Sequence, residues 1–164
     1  AMFREFFDCI RDLYYTDVIQ AMNNTTQHVP TVNCLEHCLF VSFVSFRMAK
    51  KRGLDYRAAA RGALLHDMFL YDQHDKRNYI GRHAAYHPIA ALRNATARFS
   101  LSEVEKDCIA SHMWPSAGPK PRFAESKIVN WADKICATAE VLHIYHLLRI
   151  RRQLLAALLQ PQRA

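Results

Sequence analysis

Apolar residues recur along this chain at three- and four-residue spacing, and strand-like alternation is never sustained beyond a few positions. From Met2 to about Met22, the residues Phe3, Phe6, Phe7, Ile10, Leu13, Tyr14, Val18 and Ile19 fall on one face of a first helix. Asn23-Asn24-Thr25-Thr26 breaks that pattern. A second helix is predicted from about Thr31 to Arg52, closed by a basic last turn and Gly53. Asp55 is placed to cap a third, reaching Phe69 or Leu70, whose Ala58, Ala59, Ala60 and Ala63 allow close helix packing.

The stretch from Tyr71 to Gly81 is polar and predicts an exposed loop. A short helix follows from His87-Pro88 to about Phe99. Ser102 and Glu105 form a capping box for the next, up to His112. Pro115, Gly118, Pro119 and Pro121 predict an irregular stretch. From Glu125 a long helix is expected to continue to Leu159, bending near Arg151-Arg152. The fold class is therefore all-α, a compact bundle of about six helices. It is read as one domain over 1–164, with a core at 29–141, an N-terminal helix at 2–22 and a helical tail at 142–160.

The dipeptide His66-Asp67 interrupts the apolar run Ala63-Leu64-Leu65-His66-Asp67-Met68-Phe69-Leu70. Burying an imidazole and a carboxylate among leucines is costly unless both are paired or bound to a cation. Neighbours on a helix point about 100° apart, so the two cannot easily satisfy each other. A metal ion between their directions would satisfy both. Further ligand types stand in separate segments: His37 in the second helix, His87 and His112 in the middle of the chain, and Asp133 in the last helix. Imidazole and carboxylate suit divalent iron, manganese, zinc or nickel. Four such ligands close around one ion, whereas six hold two ions with Asp67 as the bridge. Paired ions are a known clamp for in-line displacement at phosphorus.

The order His37, His66-Asp67, Asp133 resembles the HD-domain superfamily of metal-dependent phosphohydrolases, over roughly residues 29 to 141. Leu64-Leu65-His66-Asp67 resembles the family's apolar segment before the His-Asp pair. Trp131-Ala132-Asp133-Lys134 resembles its closing aspartate, often followed by lysine. His87-Pro88 and His112 are similar to the extra histidines of members that hold two metals. His83 shares a face with His87 if that segment is helical; His87 is favoured because it precedes Pro88 and matches the family's position.

The resemblance implies a phosphate mono- or diester as substrate, with nucleotides or cyclic nucleotides among the candidates. In that scheme His37, His66, Asp67 and Asp133 hold one ion, and His87 and His112 hold a second with Asp67 bridging. Asp67 and Lys134 are the catalytic candidates, Asp67 (or Asp133) orienting the attacking water and Lys134 neutralising phosphate charge. Arg61, Arg82 and Arg122 are weaker candidates for that charge. Two other readings stay open: a di-iron oxygenase with the same ligand set, and a non-catalytic metal-binding or sensor module.

Composition narrows this picture only a little. At 164 residues, 51% hydrophobic and 23% charged, the chain has the balance of a globular domain. The five cysteines, Cys9, Cys34, Cys38, Cys108 and Cys136, are odd in number and follow no secretory leader, so reduced thiols and a cytoplasmic setting are expected. The net charge of +7 reads either as a basic solvated surface or as attraction for an anionic substrate such as a phosphate ester or nucleotide. Duplex nucleic acid is disfavoured by the absence of glycine-aromatic and zinc-finger signatures. No apolar run is long enough to span a bilayer.

Three decoys are set aside. His74-Asp75 repeats the dipeptide in a polar loop, His143 and His146 lack an acidic partner, and Cys34 and Cys38 lack two further soft ligands. The tail from Val141 to Leu159 reads first as a helix packed on the bundle, then as a homodimer interface, then as a basic amphipathic membrane contact.

Overall fold

One helix, α3 (Cys34–Lys51), carries buried residues on every side, from Leu35, Cys38 and Leu39 through Val41 and Phe43 to Phe46 and Ala49. A helix apolar all round must be central, and in this computed structural model the others pack around it. The structure describes residues 1–25, 27, 30–142, 144 and 156. Among these the other helices are α1 (Met2–Tyr14), the single turn α2 (Asp17–Gln20), α4 (Tyr56–Leu65), α5 (His83–Arg98), α6 (Glu103–Ser111) and α7 (Ala124–Val141), with no strand. Among the described residues no helix is long and apolar enough to cross a membrane.

Helix α1 docks its apolar face on α3 through rings. Phe3 stacks on Phe43 at 4.8 Å, and Phe6 meets Phe43 and Phe46 edge-on at 5.2 and 5.5 Å. Helix α4 is buried from Ala58 to Leu65, and its small residues permit close approach. Ser42 of α3 donates to the Ala60 carbonyl at 2.7 Å. A Cβ added at Gly62 would lie 2.6 Å from the Cβ of Cys108 in α6. Gly62→Ala is therefore expected to force α4 and α6 apart and cost about 1–3 kcal/mol by overpacking. A denaturant midpoint unchanged from the wild type would contradict that contact.

Four predicted boundaries are corrected. The first helix stops at Tyr14, because Thr16 Oγ1 and Gln20 Nε2 take the carbonyls of Leu13 and Tyr14 and the chain restarts as α2. The third stops at Leu65 instead of running to Leu70. Past that point the carbonyls of Asp67, Met68 and Phe69 are met from other elements, by Cys34 Sγ and Asn94 Nδ2, and Leu70 has φ +60°.

The fourth segment begins at His83, so Pro88 lies inside α5. That proline removes only the N–H that would have met Ala84, a local loss the flanking turns absorb. The last helix closes at Val141. There Leu142 N–H bonds to the Thr138 carbonyl and Ile144 N–H to that of Ala139, a helix-ending pair. The predicted continuation through residues 145–159 lies outside the described residues, Ala156 excepted.

The capping box forms as predicted, Ser102 Oγ accepting from Glu105 N–H and Glu105 Oε2 from Ser102 N–H. Asp107 of α6 then accepts from the N–H groups of Arg122 and Phe123, which ties down the start of α7. In return, Asn130 of α7 donates to the carbonyls of His112 and Trp114, just past the end of α6. These reciprocal bonds fix the spacing between His112 and α7.

Candidate metal centre

Each of the five helices α3 to α7 delivers a polar side chain, or the turn that follows it, to one buried point. His37 lies one turn into α3, and His66 with Asp67 directly after α4. His87 lies one turn into α5, His112 directly after α6, and Asp133 midway along α7. All six side chains are buried. Solvent therefore does not compensate their polarity, and their arrangement must.

Two groups are formed. In the first, His37 Nε2 is 3.0 Å from Asp133 Oδ1, and His66 Nε2 is 3.4 Å from the same oxygen. Asp67 Oδ2 stands 3.3 Å from His66 Nε2 and 3.8 Å from His37 Nε2. In the second, Asp67 Oδ1 is 3.2 Å from His87 Nε2 and 3.4 Å from His112 Nε2. Asp67 thus faces one group with each oxygen.

The tautomers decide what these nitrogens can do. The Nδ1 atoms of His66, His87 and His112 donate to the carbonyls of Ala63, His83 and Ile109 at 2.6, 2.9 and 2.8 Å. His37 Nδ1 donates to the Glu140 carboxylate at 2.9 Å. With every Nδ1 carrying a proton, a neutral ring offers a lone pair at Nε2, and all four Nε2 atoms point inward. Two of them, on His87 and His112, approach to 2.9 Å. Two lone pairs do not hold each other at that distance; a shared cation does. His66 Nε2 and Asp67 Oδ1 are also buried without a hydrogen-bond partner among the described residues. The donor set fits a divalent cation, and each of the groups His37–His66–Asp133 and Asp67–His87–His112 could hold one.

The electrostatics agree. Burial disfavours charge on His37 and His66, but Asp133 and Glu140 carry His37 up to about 10, and Asp67 and Asp133 raise His66. Burial likewise opposes ionising Asp67 and Asp133, yet the neighbouring imidazoles hold both well below the usual carboxylate range. On the other side burial lowers His112, where Asp67 alone supplies negative charge and His66 and His87 oppose protonation. The His37 side, with two carboxylates, is the stronger cation trap. Divalent cations compete there with protons, so affinity falls as pH falls.

A third possible grouping, Cys38 with His66 and Asp67, is disfavoured. His66 Nδ1 is committed to Ala63, and burial beside Cys34 pushes the Cys38 thiol well up. All five cysteines are free and buried, in keeping with packed thiols. His74 is exposed and Asp75 pairs with Arg77, so that dipeptide is remote in character from the centre. His143 and His146 lie outside the described residues.

Among the phosphate-facing candidates, Arg61 is held by Asp12 and Glu105, Arg122 by Asp107, and Arg82 is exposed at the start of α5. Lys134 Nζ donates to the His112 carbonyl at 3.2 Å and to Asn130 Oδ1 at 3.0 Å; burial lowers its pKa against the pull of Asp133. His83 stacks on His87 at 4.7 Å and meets the Tyr71 hydroxyl at 3.0 Å, supporting the His87 ring from behind.

Sequence reasoning missed three residues. Glu140 sits two helical turns after Asp133 on the same face of α7, a signal that an acidic residue among Ala137, Ala139 and Val141 could have given. Glu140→Gln is expected to weaken metal binding about 10–100-fold by loosening His37; calorimetric titration with affinity at the wild-type value would contradict this. Asn130 carries no such signal, and neither does Gln27, whose Nε2 donates to Asp67 Oδ2.

The HD domain family model matches residues 34–138, well over half of the chain and the whole of this ligand set. No curated protein matches the chain. No solved structure matches it either. From the matched span and the His-Asp centre it encloses, the chain belongs to the HD-domain family.

Proposed function

We propose that this protein is a phosphohydrolase that uses two divalent ions to cleave a phosphate mono- or diester. The observation that carries the reading is the pairing of two lone-pair clusters through Asp67, with His87 Nε2 and His112 Nε2 facing each other at 2.9 Å. His37, His66, Asp133 and Asp67 Oδ2 would hold one ion; His87, His112 and Asp67 Oδ1 would hold the other. Bound there, divalent ions would make water more acidic toward neutral pH and supply positive charge for the phosphoryl oxygens.

The chain's own residues set the frame for that chemistry. Carbonyls of Ala63, His83 and Ile109 and the Glu140 carboxylate fix the four imidazole tautomers in advance. Asp67 holds the two ligand groups in register, one carboxylate oxygen toward each. Asn130 and Lys134 hold the turn that carries His112. Lys134 also keeps a half-buried ammonium behind that ring, where its charge favours an anionic substrate. The net charge of +7 acts in the same sense at longer range. Iron, manganese, zinc and nickel all suit the donor set, and nucleotides are the substrate class to try first.

The test is a phosphoester panel, mono- and diesters with and without a nucleoside, run on protein reconstituted with each metal in turn. Metal-dependent release of phosphate or of a monoester supports the proposal. Oxygen consumption by the iron-loaded protein without hydrolysis would replace it with an oxygenase. Tight metal binding with neither activity would leave a sensor module.

A further inference from the structure

Asp67 can serve both groups only if its carboxylate is held at one rotation, and its neighbours show how that is done. Oδ1 has no hydrogen-bond partner among the described residues, and the four Nε2 atoms around the group are lone-pair donors to a cation. With a cation bound, those lone pairs would face the ion and not the carboxylate. The Gln27 amide donates to the carboxylate, through Nε2 to Oδ2. The reversed amide would set its carbonyl oxygen against the carboxylate, so the orientation is fixed by charge. Gln27 Oε1 is left buried with no partner among the described residues, an acceptor standing beside the centre.

The backbone around Gln27 makes this a placed contact. Gln27 N–H bonds to the Val32 carbonyl at 3.1 Å, and Cys34 N–H to that of Thr25 at 2.7 Å, which ties Thr25 and Gln27 to the start of α3. Cys34 reaches Asp67 as well, since its Sγ donates to the Asp67 carbonyl at 3.3 Å. Gln27 and the first residue of α3 therefore grip the side chain and the main chain of Asp67. We infer that Gln27 is a positioning residue that holds the Asp67 carboxylate across both ligand groups, and so sets the affinity for the second ion. The inference rests on the two-ion reading above. The His37 side keeps His37, His66 and Asp133 when Asp67 turns, whereas the His87 side keeps only two imidazoles. Loss of the amide falls on the second ion.

The experiment is a calorimetric titration of manganese(II) into metal-stripped wild type, Gln27→Ala and Gln27→Met, with thermal midpoints recorded alongside. Methionine keeps the length of the side chain and removes the donor. The expected result is two ions in the wild type, a first ion bound equally in all three, and a second weakened about 10–100-fold in both variants. Thermal midpoints of the metal-free proteins should stay together. An unchanged second affinity in Gln27→Ala, or wild-type affinity restored by methionine, overturns the role of the amide while the two-ion centre stands. A wild type that takes up one ion or none overturns the centre itself and this inference with it.

Discussion

Asp67→Asn is expected to take this protein from two bound ions to at most one and to lower phosphoester hydrolysis roughly 10³-fold or more, about 4 kcal/mol of barrier. The change is nearly isosteric, so packing is spared and the effect isolates charge. Asp67 is the residue shared by the two ligand groups, with one oxygen toward His66 and the other toward His87 and His112. Two cations a few ångströms apart repel strongly in a buried site, and a carboxylate between them offsets that repulsion. Asparagine removes the charge and turns an N–H₂ toward nitrogens that have only lone pairs to offer. Elemental analysis and a hydrolysis assay read both effects, with far-UV circular dichroism as the folding control. A variant that keeps two ions and wild-type turnover would contradict the bridging role.

The largest stability effect is expected outside the centre, at Arg61. Its guanidinium is buried with Nε 2.7 Å from Glu105 Oε1 and Nη1 2.6 Å from Asp12 Oδ1, and it also donates to the Cys9 carbonyl. It joins α1, α4 and α6 in one network. Burial disfavours its charge, but Asp12 and Glu105 more than compensate and raise its pKa. Arg61→Ala strands the Glu105 carboxylate in the interior with only the Ser102 N–H, which should cost about 3–5 kcal/mol. Replacing both charges, as in Arg61→Met with Glu105→Leu, should recover much of that loss, because a buried pair is often no better than apolar packing. Urea denaturation of the single and double variants measures this directly. A single variant that loses less than about 1 kcal/mol would show the network to be idle.

The same two residues illustrate what could be read before the structure. Glu105 was legible as a capping-box residue, because that signal is local: three positions apart, one turn of helix. Its second partner, Arg61, lies on another helix and left no trace in spacing. The helices themselves were legible from periodicity, and His37, His66, Asp67 and Asp133 from the cost of placing ionisable groups in apolar runs; His87 and His112 came from the resemblance to the family. What failed were four of the helix boundaries, where distant side chains decide. The chain leaves α4 at Leu65 because Cys34 and Asn94 take the next carbonyls, and α5 starts at His83 despite Pro88. Arg61 stood among the weaker candidates for phosphate charge and is instead an internal tie. Glu140, Asn130 and Gln27 support the centre through contacts that only folding creates.

The central claim is that two ions share Asp67, and the metal content of the untagged protein, measured by elemental analysis beside His66→Ala and His112→Ala, tests it most directly. The account predicts about two ions per chain in the wild type, one retained in His112→Ala, and depletion in His66→Ala, where the stronger group is broken. A single ion per chain, untouched by His112→Ala, or no ion after reconstitution, would contradict it.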